Sequence, residues 1–242
     1  MRAAQRGFTL IEIMIALGIA FFLLFALLTV VQTNKTAFAN QSQLAQLQDS
    51  QRMAMTLMAD VIQTAGYFPD PTTNTAGSTL IPSGAFASAQ TITGLYSAAA
   101  PGDAISVRYM TKGGDGILNC SGNSNPVGGA NTLYVNQFTV VPGTSGGQLV
   151  CTMNGTAYTL VNGVSNLSVL YGVKTNLATA GNNVDTYLNA SQMTAANWSN
   201  VITVVISLTF DNPLYKAAGQ GQAQFITIQR VVDLMNQSGP VT

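Results

Sequence analysis

The chain has 242 residues, nine basic and nine acidic side chains, and no histidine. Charged residues make up only 7% of it, against roughly 25% in a typical soluble domain, so surface polarity falls to Asn, Gln, Ser and Thr. Lack of histidine excludes imidazole-dependent triads and imidazole metal ligands, and the near-neutral balance leaves no electrostatic footprint for nucleic acid or anionic headgroups.

The N-terminus carries Arg2 and Arg6 with no acidic residue before Glu12, the one glutamate of the chain. Apolar residues then run from Ile13 to Val31, broken only by Gly18 and Thr29. At about 1.5 Å per helical residue this run covers roughly 28 Å, close to the hydrocarbon thickness of a bilayer. A plain signal anchor accounts for the basic leader and the span, and no small-residue cleavage site follows promptly. It gives Glu12 no role, although a carboxylate at the edge of such a span is costly unless paired and marks a functional site by default. The two arginines before the span outweigh Lys35 after it, so the C-terminal body is expected outside the cytoplasm.

The stretch Gly7-Phe8-Thr9-Leu10-Ile11-Glu12, followed by the apolar run, resembles the class III signal of type IV prepilins and type II secretion pseudopilins. The resemblance implies a leader, residues 1–7, that a membrane prepilin peptidase removes between Gly7 and Phe8. It also implies N-methylation of the new terminal Phe8. Cleavage creates an amino group four residues from Glu12. In a bundle of such helices the amine of one subunit meets the carboxylate of another. Coulomb attraction and desolvation nearly cancel for such a pair, so its main yield is axial register.

From Gln32 to Ala65 there is neither proline nor glycine, and Ala, Gln, Leu and Met dominate. Leu44, Leu47, Ala54, Met58, Val61 and Ala65 fall near a three-four spacing, with Gln51 as the polar exception. The pattern predicts one helix over residues 8–66, membrane-spanning at about 13–31, whose second half packs on its own domain. Gly66 and Pro69 end it. Residues 69–103 read as a surface connection with a short helix or strand at Thr91–Tyr96.

Strand signals follow. Ile105, Val107 and Tyr109 alternate with Ser106 and Arg108. Further β-rich runs are Thr132–Val141, Leu149–Met153, Thr156–Val161, Leu167–Tyr171, Val201–Phe210 and Phe225–Leu234, with tight turns at Asn154-Gly155 and Asn162-Gly163. One long helix and then a mostly antiparallel sheet is α+β, with the helix on one sheet face; this is also the pilin fold. The body is expected over residues 67–242. Cys120 and Cys151 are the only cysteines, and an exported setting favours a disulfide between them over two buried free thiols.

The segments Asn166-Leu167-Ser168-Val169-Leu170-Tyr171-Gly172-Val173, Val184-Asp185-Thr186-Tyr187 and Trp198-Ser199-Asn200-Val201 resemble PilW-type minor pilins. Many of those place several acidic residues after the Tyr-Gly-Val. This chain has Lys174-Thr175-Asn176-Leu177-Ala178 there, with only Asp185 downstream. Asp103, Asp115, Asp185 and Asp211 fall in separate loops. Asp115 among its glycines reads as a turn aspartate before a calcium ligand. No glycine motif has nucleotide-binding context, and Trp198 reads as core.

No catalytic residue, metal or cofactor is expected. The resemblance implies a minor type IV pilin that co-assembles with other minor pilins to prime or cap a fibre for motility, adhesion or DNA uptake. Its partners would be other minor and major pilins, the prepilin peptidase and the inner-membrane assembly platform, with no direct nucleic-acid contact. The precursor would sit in the inner membrane with a cytoplasmic N-terminus and a periplasmic body. Two alternatives remain: a J-like pseudopilin of type II secretion, and a fibre-borne adhesin.

Overall fold

The computed structural model describes residues 7–143, 146–178, 180–215 and 221–235. Of the leader expected over residues 1–7, only Gly7 lies within them; residues 236–242 of the expected body lie outside. Helix α1 runs Leu10–Gln63. It starts two residues later and ends three earlier than the sequence pattern predicts. Ala65 N–H closes back on the Ile62 carbonyl at 3.0 Å. Gly66 then adopts φ 77°, where a side chain is disfavoured, and donates its N–H to the Arg108 carbonyl at 3.0 Å.

The chain divides into two compact units, Met1–Gln46 and Leu47–Thr242. The boundary falls inside α1 and not at its end, because helical burial begins only in the later turns. In the first unit the side chains of the apolar run are exposed on every side, and the helix is long and apolar enough to cross a membrane. Thr29, Thr33 and Thr36 donate their hydroxyls to the carbonyls of Phe25, Thr29 and Gln32 at 2.7, 2.9 and 3.0 Å. These bonds satisfy the hydroxyls without water.

The second unit contains the rest of α1 and two antiparallel sheets, where the sequence pattern predicts one. A short helix α2 (Ala76–Thr79) precedes the first. That sheet has strands β1 (Ile92–Leu95), β2 (Ala104–Thr111), β3 (Thr132–Gly143), β4 (Gly146–Met153) and β5 (Thr156–Asn162), adjacent in chain order. The second contains β6 (Val164–Val173), β7 (Thr186–Leu188), β8 (Val201–Asp211) and β9 (Phe225–Asp233), in the order β7-β6-β8-β9. Helix α3 (Ala195–Trp198) leads into β8. Between β4 and β5, Asn154 and Gly155 take φ 47° and 90° and turn a hairpin as predicted.

Asn162-Gly163 does something else. Gly163, at φ 78°, passes the chain from the first sheet to the second. Its N–H donates to the Gly147 carbonyl at 2.8 Å, and its carbonyl accepts the Asp211 N–H at 2.9 Å. Any side chain at Gly147 would collide with the Val164 carbonyl, so glycine permits the close approach of the sheets.

Met58 and Ile62 of α1 join Ile105, Phe138, Leu167 and Ile206 in one fully buried core. Each such side chain contributes about 1.5–3 kcal/mol by leaving water. Trp198 packs at the margin of this core, its ring edge-on to Tyr171 at 4.8 Å. Cys120 and Cys151 form a disulfide with Cα atoms 6.3 Å apart, tying the loop after β2 to β4.

The face of β2 that alternation assigns to solvent is covered. Arg108 is fully buried, its pKa lowered by that burial. Its Nε donates to the Gln90 carbonyl at 2.6 Å and its terminal nitrogens to those of Ile81, Leu80 and Ala87 at 2.6, 3.0 and 2.6 Å. The guanidinium also lies 4.8 Å from the centre of the Phe86 ring. Part of the segment read as a surface connection is therefore pinned onto the sheet.

Candidate assembly site at the N-terminus

Thr9 immediately precedes α1, and Glu12 is the third residue inside it. The Glu12 Oε2 accepts the Thr9 N–H at 3.1 Å and the Thr9 hydroxyl at 3.0 Å, while the Glu12 N–H reaches Thr9 Oγ1 at 3.4 Å. This reciprocal pattern is a capping box, and it places a carboxylate where the helix dipole favours negative charge. Thr-x-x-Glu at the head of an apolar run is a readable signal for it; Thr9 belongs to the motif that carries the family resemblance, which gives it no role of its own.

The box changes what Glu12 can do. Oε2 is occupied locally, whereas Oε1 accepts no hydrogen bond among the described residues. Glu12 lines a shallow groove with Phe8, Ile13, Ala16, Leu17 and Ala20, so its carboxylate stands at the head of an apolar face. Phe8 N is still in a peptide bond with Gly7 in this chain, and the amine expected to meet a carboxylate exists only after cleavage. Because Thr9 follows the expected cut, the capping box survives it.

A side chain placed at Gly7 would meet nothing within 4 Å, and the same holds at Gly18. Neither glycine is required by contacts among the described residues. A helix-interior glycine costs about 1 kcal/mol relative to alanine, so Gly18 is a local liability that packing within one chain does not explain.

The other polar clusters hold their own loops. Both oxygens of Asp115 accept backbone amides, from Lys112 at 2.8 Å and Ile117 at 3.1 Å. Asp185 Oδ2 accepts those of Thr175 and Asn176 at 2.9 and 2.7 Å. Asp103 accepts the N–H groups of Ser97 and Val169 at 2.9 and 2.8 Å and so joins the loop before β2 to β6. Asp211 lies at the end of β8. No group of three or more His, Cys, Asp or Glu side chains is arranged for a metal among the described residues.

Two family models match the chain. That for the prokaryotic N-terminal methylation motif matches residues 2–28, and that for type IV pilus-assembly protein W (PilW) matches residues 124–238. No curated protein sequence matches significantly. Among solved structures, a type IV-like pilin from Thermus thermophilus aligns at 14% identity and a TM-score of 0.42, covering 79% of this chain and 98% of that one.

Proposed function

We propose that the chain, which matches the methylation-motif and PilW models and has an N-terminal helix long and apolar enough to cross a membrane, is a membrane-anchored minor pilin of the type IV pilin superfamily. It co-assembles with other minor pilins to prime or cap a pilus fibre that serves motility, adhesion or DNA uptake. The observation that carries this reading is the coincidence of the methylation motif with a capped Glu12 at the head of an otherwise apolar helix.

The steps follow from the N-terminus. Prepilin peptidase cuts between Gly7 and Phe8 and methylates Phe8, with the N-terminus in the cytoplasm and the body in the periplasm. The apolar halves of neighbouring α1 helices bundle within the assembly platform. The Phe8 amine of one subunit pairs with the Glu12 of another through Oε1 while Thr9 holds Oε2. An unpaired carboxylate in an apolar bundle is penalised by several kcal/mol, so the pair fixes stagger more than it adds stability. Function rests on contacts between subunits and not on catalysis.

Glu12→Ala should insert into the membrane and fold its body normally, yet appear in sheared pili at well below the wild-type level. Equal incorporation of the two would remove Glu12 from the assembly mechanism. Deletion of the gene should abolish surface pili and leave type II secretion intact; the reverse phenotype would assign the chain to a secretion pseudopilus.

A further inference from the structure

The two sheets have four edges, and three are blunted. Strand β1 has 4 residues and β7 has 3, while β5 pairs with β4 through a register shift between Leu149 and Val150. Strand β9 has 9 residues and pairs with β8 without a register shift. It has no proline, lysine or bulge, three of the devices by which natural edges avoid adding a further strand, although Arg230 places one charge at its middle.

The phase of the ladder fixes which backbone groups of β9 face outward. Asn212 N–H donates to the Gln224 carbonyl and Leu234 N–H to the Ile202 carbonyl, each at 2.9 Å. Both pairs lie on the β8–β9 register, so even-numbered residues bond to β8. Phe225, Thr227, Gln229, Val231 and Asp233 therefore turn their N–H and C=O groups to the other side. Among the described residues no strand pairs there. One residue beyond, Met235 continues the phase, and its N–H finds the Gln63 carbonyl at 3.3 Å. Gln229, Arg230 and Val231 are exposed in succession, so neither face covers the middle of the edge.

We propose that the outer edge of β9 is a strand-addition site, occupied in the assembly by an extended strand from a neighbouring subunit of different sequence. This deepens the assembly reading and rests on it. The occupant is dictated by the edge itself, since a row of alternating donors and acceptors is matched by another extended backbone. Arg230, whose Nη1 donates to the Met55 carbonyl at 3.5 Å, occupies a position not hydrogen-bonded on this edge, where facing side chains approach closest, and its remaining donors ask for a carboxylate opposite it.

In antiparallel self-pairing a second copy cannot supply that carboxylate from its own β9. Antiparallel self-pairing that satisfies the outward groups sets odd-numbered residues opposite odd-numbered ones. Asp233 then never faces Arg230, which meets an apolar residue or another arginine. Charge complementarity favours a different subunit.

The test uses the full chain in piliated cells, with a photo-crosslinking residue at Val231, which is 55% exposed. Crosslinks to the body of another pilin subunit are expected. Gln229→Pro removes an N–H that points away from β8 and should reduce those crosslinks roughly tenfold, while Gln229→Ala keeps them. Thermal unfolding and formation of the Cys120–Cys151 disulfide report whether the variant folds. If Gln229→Pro does not fold, Thr227→Pro removes another outward N–H and makes the same test. Undiminished crosslinks in a folded proline variant, crosslinks only to a second copy, or none from a chain present in purified fibres would each overturn the proposal. If the unaltered chain is absent from fibres and from complexes with other pilins, the assembly reading has failed first, and the strand-addition site with it.

Discussion

Tyr171 reaches from β6 across to β1, where a side chain at Gly94 would collide with its phenol oxygen. The ring is fully buried and its hydroxyl has no hydrogen-bond partner among the described residues. Burial, and after it the charge of Asp103, raises the phenol well above its ordinary value of 10.0. The folded state thus resists ionisation that the unfolded chain accepts. The associated stability is complete below about pH 10 and is lost as pH rises above that value, because the unfolded state then binds fewer protons. Tyr171→Phe should leave stability at pH 7 unchanged or slightly higher, since it removes an unsatisfied polar atom, and should flatten the loss of stability between pH 9 and 11. Equilibrium unfolding across that range checks both; a variant as alkali-sensitive as the parent would remove Tyr171 from this role. Glu12 was legible at this scale from its isolation beside an apolar run, and its partner Thr9 from the Thr-x-x-Glu spacing. The unpartnered phenol was not, because it depends on a contact with β1 distant in sequence.

Elements with a strong local period were the readable ones. The long helix, the β-rich runs that became β2–β6, β8 and β9, and the Asn154-Gly155 hairpin all follow from spacing and turn chemistry. The second Asn-Gly pair looks the same in sequence but bridges two sheets, because Gly147 and Asp211 capture Gly163. Strand β7 and helices α2 and α3 are too short to show a period. The segment pinned by Arg108 escaped for a related reason: its Thr, Ser, Gly and Pro content matches an exposed loop, and only the four carbonyl contacts make it a cover. Arg108→Met should free that segment and leave its carbonyls without donors, at a cost of about 3–5 kcal/mol. The expected outcome is a lower melting temperature with preferential proteolysis within residues 80–91. A variant with unchanged melting and no new cleavage would show that the segment is held by other contacts.

At the scale of the whole molecule, the two compact units divide the work. Residues 10–46 form a helix with no fully buried residue, which gains stability only from a bilayer or from neighbouring helices. From Leu47 onward the chain builds its own core, with a disulfide inside the compact body. Among the described residues Gly7 and Gly18 have no steric reason, and Glu12 presents one carboxylate oxygen at the head of an apolar face. These features support the proposed reading of a subunit that is processed and then inserted among others. The mass of the N-terminal peptide from membrane-bound protein tests this most directly. A start at Phe8 with one additional methyl group is the predicted result. An intact start at Met1 or Arg2, in cells with an active prepilin peptidase, would contradict it and reduce the helix to an ordinary membrane anchor.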